Sequence, residues 1–429
     1  MEFKPFEKKI WLSSPTMHGN ELKWVQDAFE KNWITTAGEN VNAIEAELSA
    51  MLSQKYSVGL SCGTAALHLA LKVVGEKIYG MPKPGTHVLK GHRVATSDMT
   101  FAATCEPIIY EDGEPVFIDS ERDTWNMSPK ALENAFALYP DIRIVVLAHL
   151  YGTPAKINEI KAICEKQGAI LIEDAAESLG ATYKNSDGEW VQTGSSTYSC
   201  ISFNGNKIIT GSSGGMFLTD SKDAADKVRK WSTQSREAAP WYEHEELGFN
   251  YRISNIISGI VRGQLEDGFL DQHIASKRKI YERYKEGFKG LSVTMNPYDE
   301  ENSVPNFWLS CMLINDDAMC RQVRSGRDAL YIHESGKSCP TEILETLAKY
   351  NAEGRPIWKP MHMQPFYSGF PFITADGNGR ARSNAYIAGN SCEDVGADIF
   401  ARGLCLPSDN KMTAEEQEII IQIIRSLFK

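Results

Sequence analysis

The order of apolar segments constrains the fold of this chain more than any other feature of the sequence. From about residue 20 to residue 275, runs of strand length alternate with segments of helix length. One example is the series RIVVLAHL, AKINEIKAICEKQG and AILIEDAA. Such an alternation is typical of a parallel sheet with helices on both faces. The sequence therefore predicts the α/β class, with a mostly parallel central sheet.

The pattern changes after a long helical stretch that follows residue 248. The remainder mixes short strands such as NFWLSCMLIN with helices such as TAEEQEIIIQIIRSLF, and residues 319–339 fit neither pattern. A chain of 429 residues is too long for one small core, so two domains are expected. We predict an N-terminal segment and a large domain over residues 1–275, followed by a smaller α+β domain over residues 276–429.

Composition argues against several classes of function. The chain has 42% hydrophobic and 24% charged residues, as soluble globular proteins do. It has no apolar run long enough to span a membrane and no apolar signal segment, so a cytoplasmic protein without a membrane partner is predicted. A net charge of −11 argues against nucleic acid as a partner. Nine cysteines without a Cys-x-x-Cys pair, and no His-Glu-x-x-His motif, predict reduced thiols and no metal site.

The stretch SCGTAALHLAL places Gly63 and Thr64 at the start of a helix that directly follows a strand. Free backbone N–H groups and the helix dipole make such a place a site for an anion, and a glycine lets a phosphate approach closely. The alternative is a plain strand-to-helix turn. The nucleotide fingerprints G-x-G-x-x-G and G-x-x-x-x-G-K-[ST] are both missing, so a nucleotide cofactor of those kinds is not expected.

Two further features follow predicted strands. Phe101, after the strand HRVATSD, could stack on a flat heterocycle or lie in the core. Glu173 and Asp174 end the apolar strand AILIED, where a buried carboxylate needs a partner such as a protonated ring nitrogen. For Asp174, a helix N-cap is an equally good interpretation.

The stretch SFNGNKIITGSSGGM holds Lys207 among small and apolar residues, five positions after Ser202. A lysine withdrawn from water there becomes a nucleophile for a Schiff base, while the serine could bind a phosphate. An anion site, a stacking ring, a carboxylate for a ring nitrogen and a lysine together describe a pocket for pyridoxal 5'-phosphate.

With these residues, the sequence resembles the DegT/DnrJ/EryC1/StrS family of sugar aminotransferases over nearly the whole chain. Ten stretches match that family in its own order: LSSPTMHGNE, NWITTAG, GTAALHLAL, TFAAT, HLYG, EDAAESLGA, SFNGNKIITGSSGGM, GFNYRISNI, RPIWKPMHMQP and ARGLCLPSD. The resemblance implies the fold type I of pyridoxal phosphate-dependent transferases, similar to aspartate aminotransferase.

The resemblance also implies roles for individual residues. Lys207 would form a Schiff base with the cofactor and shuttle a proton to the substrate carbon, and Asp174 would keep the pyridine nitrogen protonated. The remaining cofactor contacts would be the phosphate-binding Gly63, Thr64 and Ser202, and Phe101 stacked on the ring.

Other implied residues lie farther along the chain. Asn250 in GFNYR would reach the phosphate of a neighbouring subunit, which implies a homodimer with shared sites, and Arg252 would help to hold an anionic substrate. Trp358, Lys359 and His362 in RPIWKPMHMQP resemble residues on the substrate side. For these three, a packed tryptophan beside a solvated lysine is an equally good interpretation.

Glu177 departs from the commonest pattern of the family, which has glutamine or histidine there, near the phenolic oxygen of the cofactor. An ionised carboxylate beside a phenolate is repulsive. Glu177 is therefore expected to be protonated, turned away, or bridged by water or a cation.

The resemblance predicts an aminotransferase that takes an amino group from glutamate and, through pyridoxamine phosphate, passes it to a keto-sugar nucleotide. A UDP- or GDP-linked 4-keto-6-deoxy sugar is the expected acceptor. Two alternatives stay open: a keto-cyclitol aminotransferase of antibiotic biosynthesis, and a regulatory protein that binds a sugar nucleotide without turnover. Lys207 and Asp174 argue against the second alternative.

Overall fold

The computed structural model describes residues 3–325, 327–380 and 393–429. The helices are α1 (Asn20–Glu30), α2 (Glu39–Met51), α3 (Gly63–Tyr79), α4 (Glu106–Tyr110), α5 (Pro129–Leu138), α6 (Ile157–Gln167), α7 (Lys222–Ser232), α8 (Asn255–Leu265), α9 (Phe269–Gly287), α10 (Pro340–Lys349), α11 (Val395–Arg402) and α12 (Ala414–Ser426). The strands are β1 (Tyr56–Leu60), β2 (Arg93–Ser97), β3 (Glu114–Ile118), β4 (Ile144–Ala148), β5 (Ile170–Asp174), β6 (Thr182–Lys184), β7 (Trp190–Gln192), β8 (Tyr198–Ser202), β9 (Gly215–Thr219), β10 (Val293–Met295), β11 (Ser303–Val304), β12 (Cys311–Ile314), β13 (Gln322–Ser325), β14 (Asp328–Tyr331), β15 (Arg355–Pro356), β16 (Phe372–Ile373), β17 (Gly379–Arg380) and β18 (Gly403–Cys405).

Several helices begin at the residues that the sequence would favour as N-caps. Ser128, Ser221 and Ser254 each accept a backbone N–H of the first turn of α5, α7 and α8. Helix α12 begins with a capping box, in which Thr413 and Glu416 each accept a backbone N–H of the other. These caps satisfy N–H groups that have no partner within the helix.

The central sheet has the strand order β1-β9-β8-β5-β4-β2-β3-β16-β17. The strands from β8 to β16 in this order pair in parallel, whereas β9 runs antiparallel to both of its neighbours. The prediction of an α/β fold with a mostly parallel sheet is confirmed. Because β1 and β8 both oppose β9, the carboxyl ends of β1, β2, β4, β5 and β8 meet at one edge.

The core explains why the strands of the sheet are apolar along their whole length. All five residues of β4 are buried. Ile144 and Val146 pack in the cluster that contains α3 and α7, while Val145 and Leu147 pack in the cluster that contains α5 and α6. Successive side chains of a strand point to opposite faces, so a sheet covered on both faces needs apolar residues at both.

A second sheet, with the antiparallel order β10-β12-β18-β15, packs against α9, α10 and α12. Ile10 of the N-terminal segment packs in the same hydrophobic cluster as this second sheet. In the other direction, β16 from the C-terminal part of the chain, with Phe372 and Ile373, pairs with β3 and extends the central sheet. The predicted domain boundary between residues 275 and 276 falls inside helix α9. The division into domains 1–275 and 276–429 stays a prediction.

Residues 319–339, which fitted neither pattern, include the hairpin of β13 and β14. Its Arg324 donates to the carbonyl of Phe400 at the end of α11, at 2.9 Å.

No helix in the described ranges combines the length and the apolar character that a membrane-spanning segment needs. Eight cysteines of these ranges are free thiols, and Cys392 lies outside the described residues.

Candidate active site

A cavity of about 280 Å³ opens at the edge where the carboxyl ends of the parallel strands meet. This is where ligands of open α/β sheets bind. Predicted site residues that line the cavity are Gly63, Thr64, Phe101, Asp174, Glu177, Ser202, Lys207 and Trp358. The fold thus brings together residues that lie up to about 300 positions apart in the sequence.

One wall of the cavity is the N-terminus of α3. Cys62 caps this helix, because its Sγ accepts the N–H of Ala65 at 3.4 Å. Gly63 and Thr64 are the first two residues of α3, so their amide N–H groups have no partner within the helix, and Gly63 lies directly beside Ser202 of β8. A Cβ added to Gly63 would be 2.9 Å from the Cβ of Ser202, so only glycine leaves this cradle open. The helix dipole and the free N–H groups favour an anion there.

Asp174, at the end of β5, is a buried carboxylate at the floor of the cavity. Its Oδ2 accepts the hydroxyl of Thr104 at 2.7 Å, and its Oδ1 accepts the N–H of Ala176 at 3.1 Å. Burial raises the pKa of Asp174 above its usual value. The described residues after Asp174 form a turn, in which Ser178 donates to the carbonyl of Ala175, so Asp174 does not cap a helix.

Lys207 lies in the turn after β8, with its N–H donated to the carbonyl of Asn204. Its Nζ is 3.4 Å from Oε1 of Glu177 and 4.1 Å from the ring centroid of Trp308. Only 12% of the Lys207 side chain is exposed. The indole N–H of Trp308 donates to the carbonyl of Asn206, which ties the tryptophan to the lysine turn.

Glu177 lies inside the cavity wall, and its carboxylate faces Lys207. Its Oε2 accepts the N–H of Tyr151 at 2.8 Å. Burial raises the pKa of Glu177, and the Lys207 ammonium works against that increase. In this structure the carboxylate of Glu177 thus lies beside the Lys207 ammonium, and its arrangement toward the phenolic oxygen of the cofactor stays a prediction.

The mouth of the cavity is aromatic. The ring of Phe101 is 53% exposed and lies 5.4 Å from the ring of Trp358. The ring of Trp358 in turn stacks on the ring of Tyr151, with 5.9 Å between the ring centroids, and the backbone N–H of Trp358 donates to the Tyr151 hydroxyl. The indole Nε1 of Trp358 has no hydrogen-bond partner among residues 3–325, 327–380 and 393–429. The flat rings of Phe101 and Trp358 suit a ligand that carries a ring.

Four predicted residues do not line the cavity. Asn250 is exposed, and its backbone forms an isolated β-bridge with Thr233. The guanidinium of Arg252 forms an ion pair with the carboxylate of Glu45, at 2.5 Å. Lys359 follows Trp358 in the sequence but does not line the cavity, and its backbone carbonyl accepts the side-chain amide of Gln364.

His362, the fourth of these residues, is buried between two carboxylates. Its Nδ1 is 2.6 Å from Asp98 and its Nε2 is 2.9 Å from Asp394. Burial opposes a charge on His362, but the two carboxylates outweigh it and raise the pKa of His362 to about 10. His362 therefore links β2 to the start of α11 in this structure.

The sequence reasoning missed His149, Thr104 and Trp308, which also line the cavity. His149 follows β4, and its Nε2 lies 2.9 Å from Oε1 of Glu173. Its Nδ1 accepts the N–H of Ala155 at 3.0 Å, so Nε2 carries the proton. The only available signals were the position of His149 after an apolar strand and the stretch HLYG. The described residues contain no group of three or more His, Cys, Asp or Glu side chains placed to hold a metal ion.

The comparisons with known proteins agree with this geometry. Residues 15–425 match the profile of the DegT/DnrJ/EryC1/StrS aminotransferase family. EpsN of Bacillus subtilis (strain 168), whose name describes a pyridoxal phosphate-dependent aminotransferase, is 38% identical over 428 residues, covering 98% of this chain and 96% of that protein. The GDP-perosamine synthase of Escherichia coli O157:H7 is 28% identical over 422 residues, covering 98% of this chain and 99% of that protein.

Solved structures show the same fold. PseC of Helicobacter pylori, an aminotransferase involved in the biosynthesis of pseudoaminic acid, has a TM-score of 0.78 at 18% identity, covering 98% of this chain and 99% of that chain. The pyridoxal phosphate form of the sugar aminotransferase Spr1654 of Streptococcus pneumoniae has a TM-score of 0.76 at 20% identity, with 97% of each chain covered. The profile match and the near-complete coverage of the relatives place this chain in the DegT/DnrJ/EryC1/StrS family of pyridoxal phosphate-dependent sugar aminotransferases.

Proposed function

We propose that this enzyme transfers the amino group of glutamate to a keto-sugar nucleotide, with Lys207 as the residue that moves the proton. One observation carries the proposal: a single cavity holds Lys207, the buried carboxylate of Asp174 and the N-terminus of α3. The relatives named GDP-perosamine synthase support a nucleotide-linked sugar as the acceptor. A UDP- or GDP-linked 4-keto-6-deoxy sugar is the acceptor that we favour.

The residues of the cavity fit pyridoxal phosphate. Gly63, Thr64 and Ser202 form a cradle that an added Cβ would fill, and it suits a phosphate group. Asp174 is a buried carboxylate with room beside it for a protonated ring nitrogen. Lys207 offers an amine within the same cavity, and Phe101 offers a ring face at its mouth.

Each residue has a distinct task in the proposed reaction. When bound, pyridoxal phosphate supplies a carbon that carries the amino group and a ring that withdraws electrons. Asp174 would hold the protonated ring nitrogen, because a buried carboxylate stabilises a positive charge beside it. Lys207 would move the proton between the substrate carbon and the cofactor carbon, which is general acid–base catalysis by one group.

We also propose that donor and acceptor use the cavity in turn, as a ping-pong sequence requires. The acceptor is larger than glutamate, and the aromatic mouth of Phe101 and Trp358 provides flat surfaces for its sugar ring. Asn250 is exposed on the outside of its own subunit, which supports a homodimer in which it serves the neighbouring site. Cytoplasmic localisation stays part of the proposal.

The test is an incubation of the purified protein with glutamate and a panel of acceptors. The panel contains UDP- and GDP-linked 4-keto-6-deoxy sugars together with keto-inositols, and mass spectrometry identifies the aminated products and 2-oxoglutarate. We expect amination of a nucleotide-linked sugar, and a decrease in rate of about a hundredfold or more in Lys207→Ala. Amination of keto-inositols alone would contradict the proposed acceptor. Full activity of Lys207→Ala would contradict the proposed role of the lysine.

A further inference from the structure

The free side chain of Lys207 rests against two groups that belong to other parts of the fold. Its Nζ lies 3.4 Å from Oε1 of Glu177 and 4.1 Å from the centre of the Trp308 ring. A carboxylate and an aromatic face both stabilise an ammonium, the first by charge and the second through the ring quadrupole. Both contacts lie in a nearly closed site, where only 12% of the lysine and 10% of the glutamate side chain are exposed.

Both groups are held in place by hydrogen bonds that do not involve the Lys207 side chain. Glu177 is fixed by the N–H of Tyr151, at 2.8 Å from its second oxygen. Tyr151 is fully buried with a φ of 53°, and its hydroxyl accepts the N–H of Trp358. A non-glycine residue with this backbone conformation persists only where the surroundings impose it. The carboxylate of Glu177 therefore has a fixed place beside the lysine.

Trp308 is fixed in a similar way. Its indole N–H donates to the carbonyl of Asn206 at 2.7 Å, and the hydroxyl of Ser13 donates to the same carbonyl at 3.2 Å. Trp308 itself is 1% exposed. Trp308 therefore contacts two successive residues: its indole N–H binds Asn206, and its ring face lies against the ammonium of Lys207.

Transfer of an amino group leaves Lys207 free for part of each cycle, and its side chain then needs a defined place in the cavity. We propose that Glu177 and Trp308 form a docking site for the free Lys207 side chain, in which the carboxylate and the ring face hold Nζ as an ammonium. The proposal rests on the function proposed above, because it assumes that Lys207 alternates between a bound and a free state. It concerns a position at which this chain departs from the commonest residue of its family.

The charges of the pair support each other. Burial raises the pKa of Glu177, and the Lys207 ammonium works against that increase, so each group favours the charged form of the other. The other titratable groups around Glu177 are Asp174, the hydroxyl of Tyr151 and the thiol of Cys311.

The experiment measures the reactivity of Lys207 directly. Cofactor-free, full-length protein is labelled with trace acetic anhydride at a series of pH values, and peptide mass spectrometry quantifies the label on each lysine. In Glu177→Gln, the amide still accepts the N–H of Tyr151 but the charge is gone. We expect the midpoint of the Lys207 labelling curve to fall by about one pH unit or more, so that its labelling at low pH rises about tenfold.

Two further variants make the result specific. Glu76 is a matched control: it is another buried glutamate, with its Oε1 3.5 Å from Nζ of Lys72. Glu76→Gln should leave the Lys207 curve unchanged. Trp308→Phe keeps an aromatic face but weakens it, so a smaller fall of the midpoint is expected. An unchanged Lys207 curve in both Glu177→Gln and Trp308→Phe would overturn the docking site.

A measurement on the loaded enzyme separates this proposal from the proposed function. Repeating the labelling with pyridoxamine phosphate bound, which leaves Lys207 free, should give the same shift in Glu177→Gln. Borohydride treatment of protein loaded with pyridoxal phosphate should fix the cofactor to Lys207, as the proposed function requires. A fixed link with an unshifted curve contradicts the docking site alone. A missing link contradicts the proposed role of Lys207, whatever the labelling shows.

Discussion

At the scale of single residues, the phosphate cradle depends on the absence of a side chain. Gly63 begins α3 directly opposite Ser202, and an added Cβ would be 2.9 Å from the serine Cβ and 3.2 Å from its Oγ. Contacts below about 3 Å between carbon atoms are repulsive, so helix and strand would have to separate. The glycine therefore keeps the amides of α3 within reach of the proposed phosphate.

Gly63→Ala should weaken the binding of pyridoxal phosphate about tenfold or more, because displaced amides lose a hydrogen bond to a charged group. Equilibrium dialysis of the cofactor measures the change. Gly205→Ala is a matched control in the loop that carries Lys207, since its added Cβ would meet only the carbonyl of Ser212 at 3.7 Å. Equal affinities of both variants would contradict the cradle.

Residue types in the sequence predicted six of the positions that line the cavity, because each of the six suits one part of the cofactor, and the resemblance to the family added Glu177 and Trp358. They did not predict Trp308 or Thr104. Trp308 is recognisable only from its contact with Lys207, and Thr104 only from its hydrogen bond to Asp174. Contacts between residues about 70 to 100 positions apart leave no local pattern in a single sequence.

At the scale of elements, the ends of β4 and β5 are joined by a buried pair. Glu173 accepts from Nε2 of His149 at 2.9 Å and from the N–H of Ser196 at 2.9 Å. Burial alone would raise the pKa of Glu173, but the hydrogen bonds that it accepts from His149 and Ser196 outweigh burial and lower the pKa to about 2. A pKa below the usual 4.5 means that the pair stabilises the fold above pH 4.5 and that this contribution is lost as the pH falls toward 2.

Glu173→Gln should therefore lower the free energy of unfolding at pH 7 by a few kcal/mol, since it breaks a buried, hydrogen-bonded pair. Urea unfolding from pH 7 down to pH 3 measures the difference between wild type and variant, which we expect to shrink below about pH 4.5. Glu133→Gln removes a partner of Lys130 at the surface, 48% exposed, and should change little at any pH. A pH-independent difference for Glu173→Gln would contradict the assignment of the charge.

The strands and helices of the large sheet were predictable because period and length mark them in the sequence. The short β16 was not, although it extends the central sheet beside β3. A strand of two residues carries no periodicity, and its place is decided by the free edge of β3.

At the scale of the whole molecule, two features favour a homodimer with shared sites. The apolar side chains of Phe29, Trp33 and Ile34, at the end of α1 and just after it, are 59%, 48% and 52% exposed, and an interface with a second copy would bury them. Asn250, predicted to bind a phosphate, lies outside the cavity of its own chain. A second copy is the partner that would place it at a cavity.

Mixing inactive variants tests this arrangement. A hybrid of Lys207→Ala and Asn250→Ala subunits has one of its two sites intact, so each mixed dimer should have about half of the wild-type activity. Random exchange of equal amounts makes about half of the dimers mixed, so the whole mixture should recover about a quarter of the wild-type activity. Sedimentation should give about twice the chain mass of 47.8 kDa. Mixtures that stay as inactive as the separate variants, at a dimeric mass, would contradict the sharing of sites.

The sequence by itself determined the fold class, the family and the residue types of the cofactor pocket, because these depend on local periodicity and on motifs in a fixed order. Tertiary structure alone decided which groups meet at the sheet edge. It paired Arg252 with Glu45, buried His362 between Asp98 and Asp394, and placed Glu177 beside Lys207. A charged residue has the same letter in the sequence whether its partner is a substrate or another side chain, and only the folded distances distinguish the two.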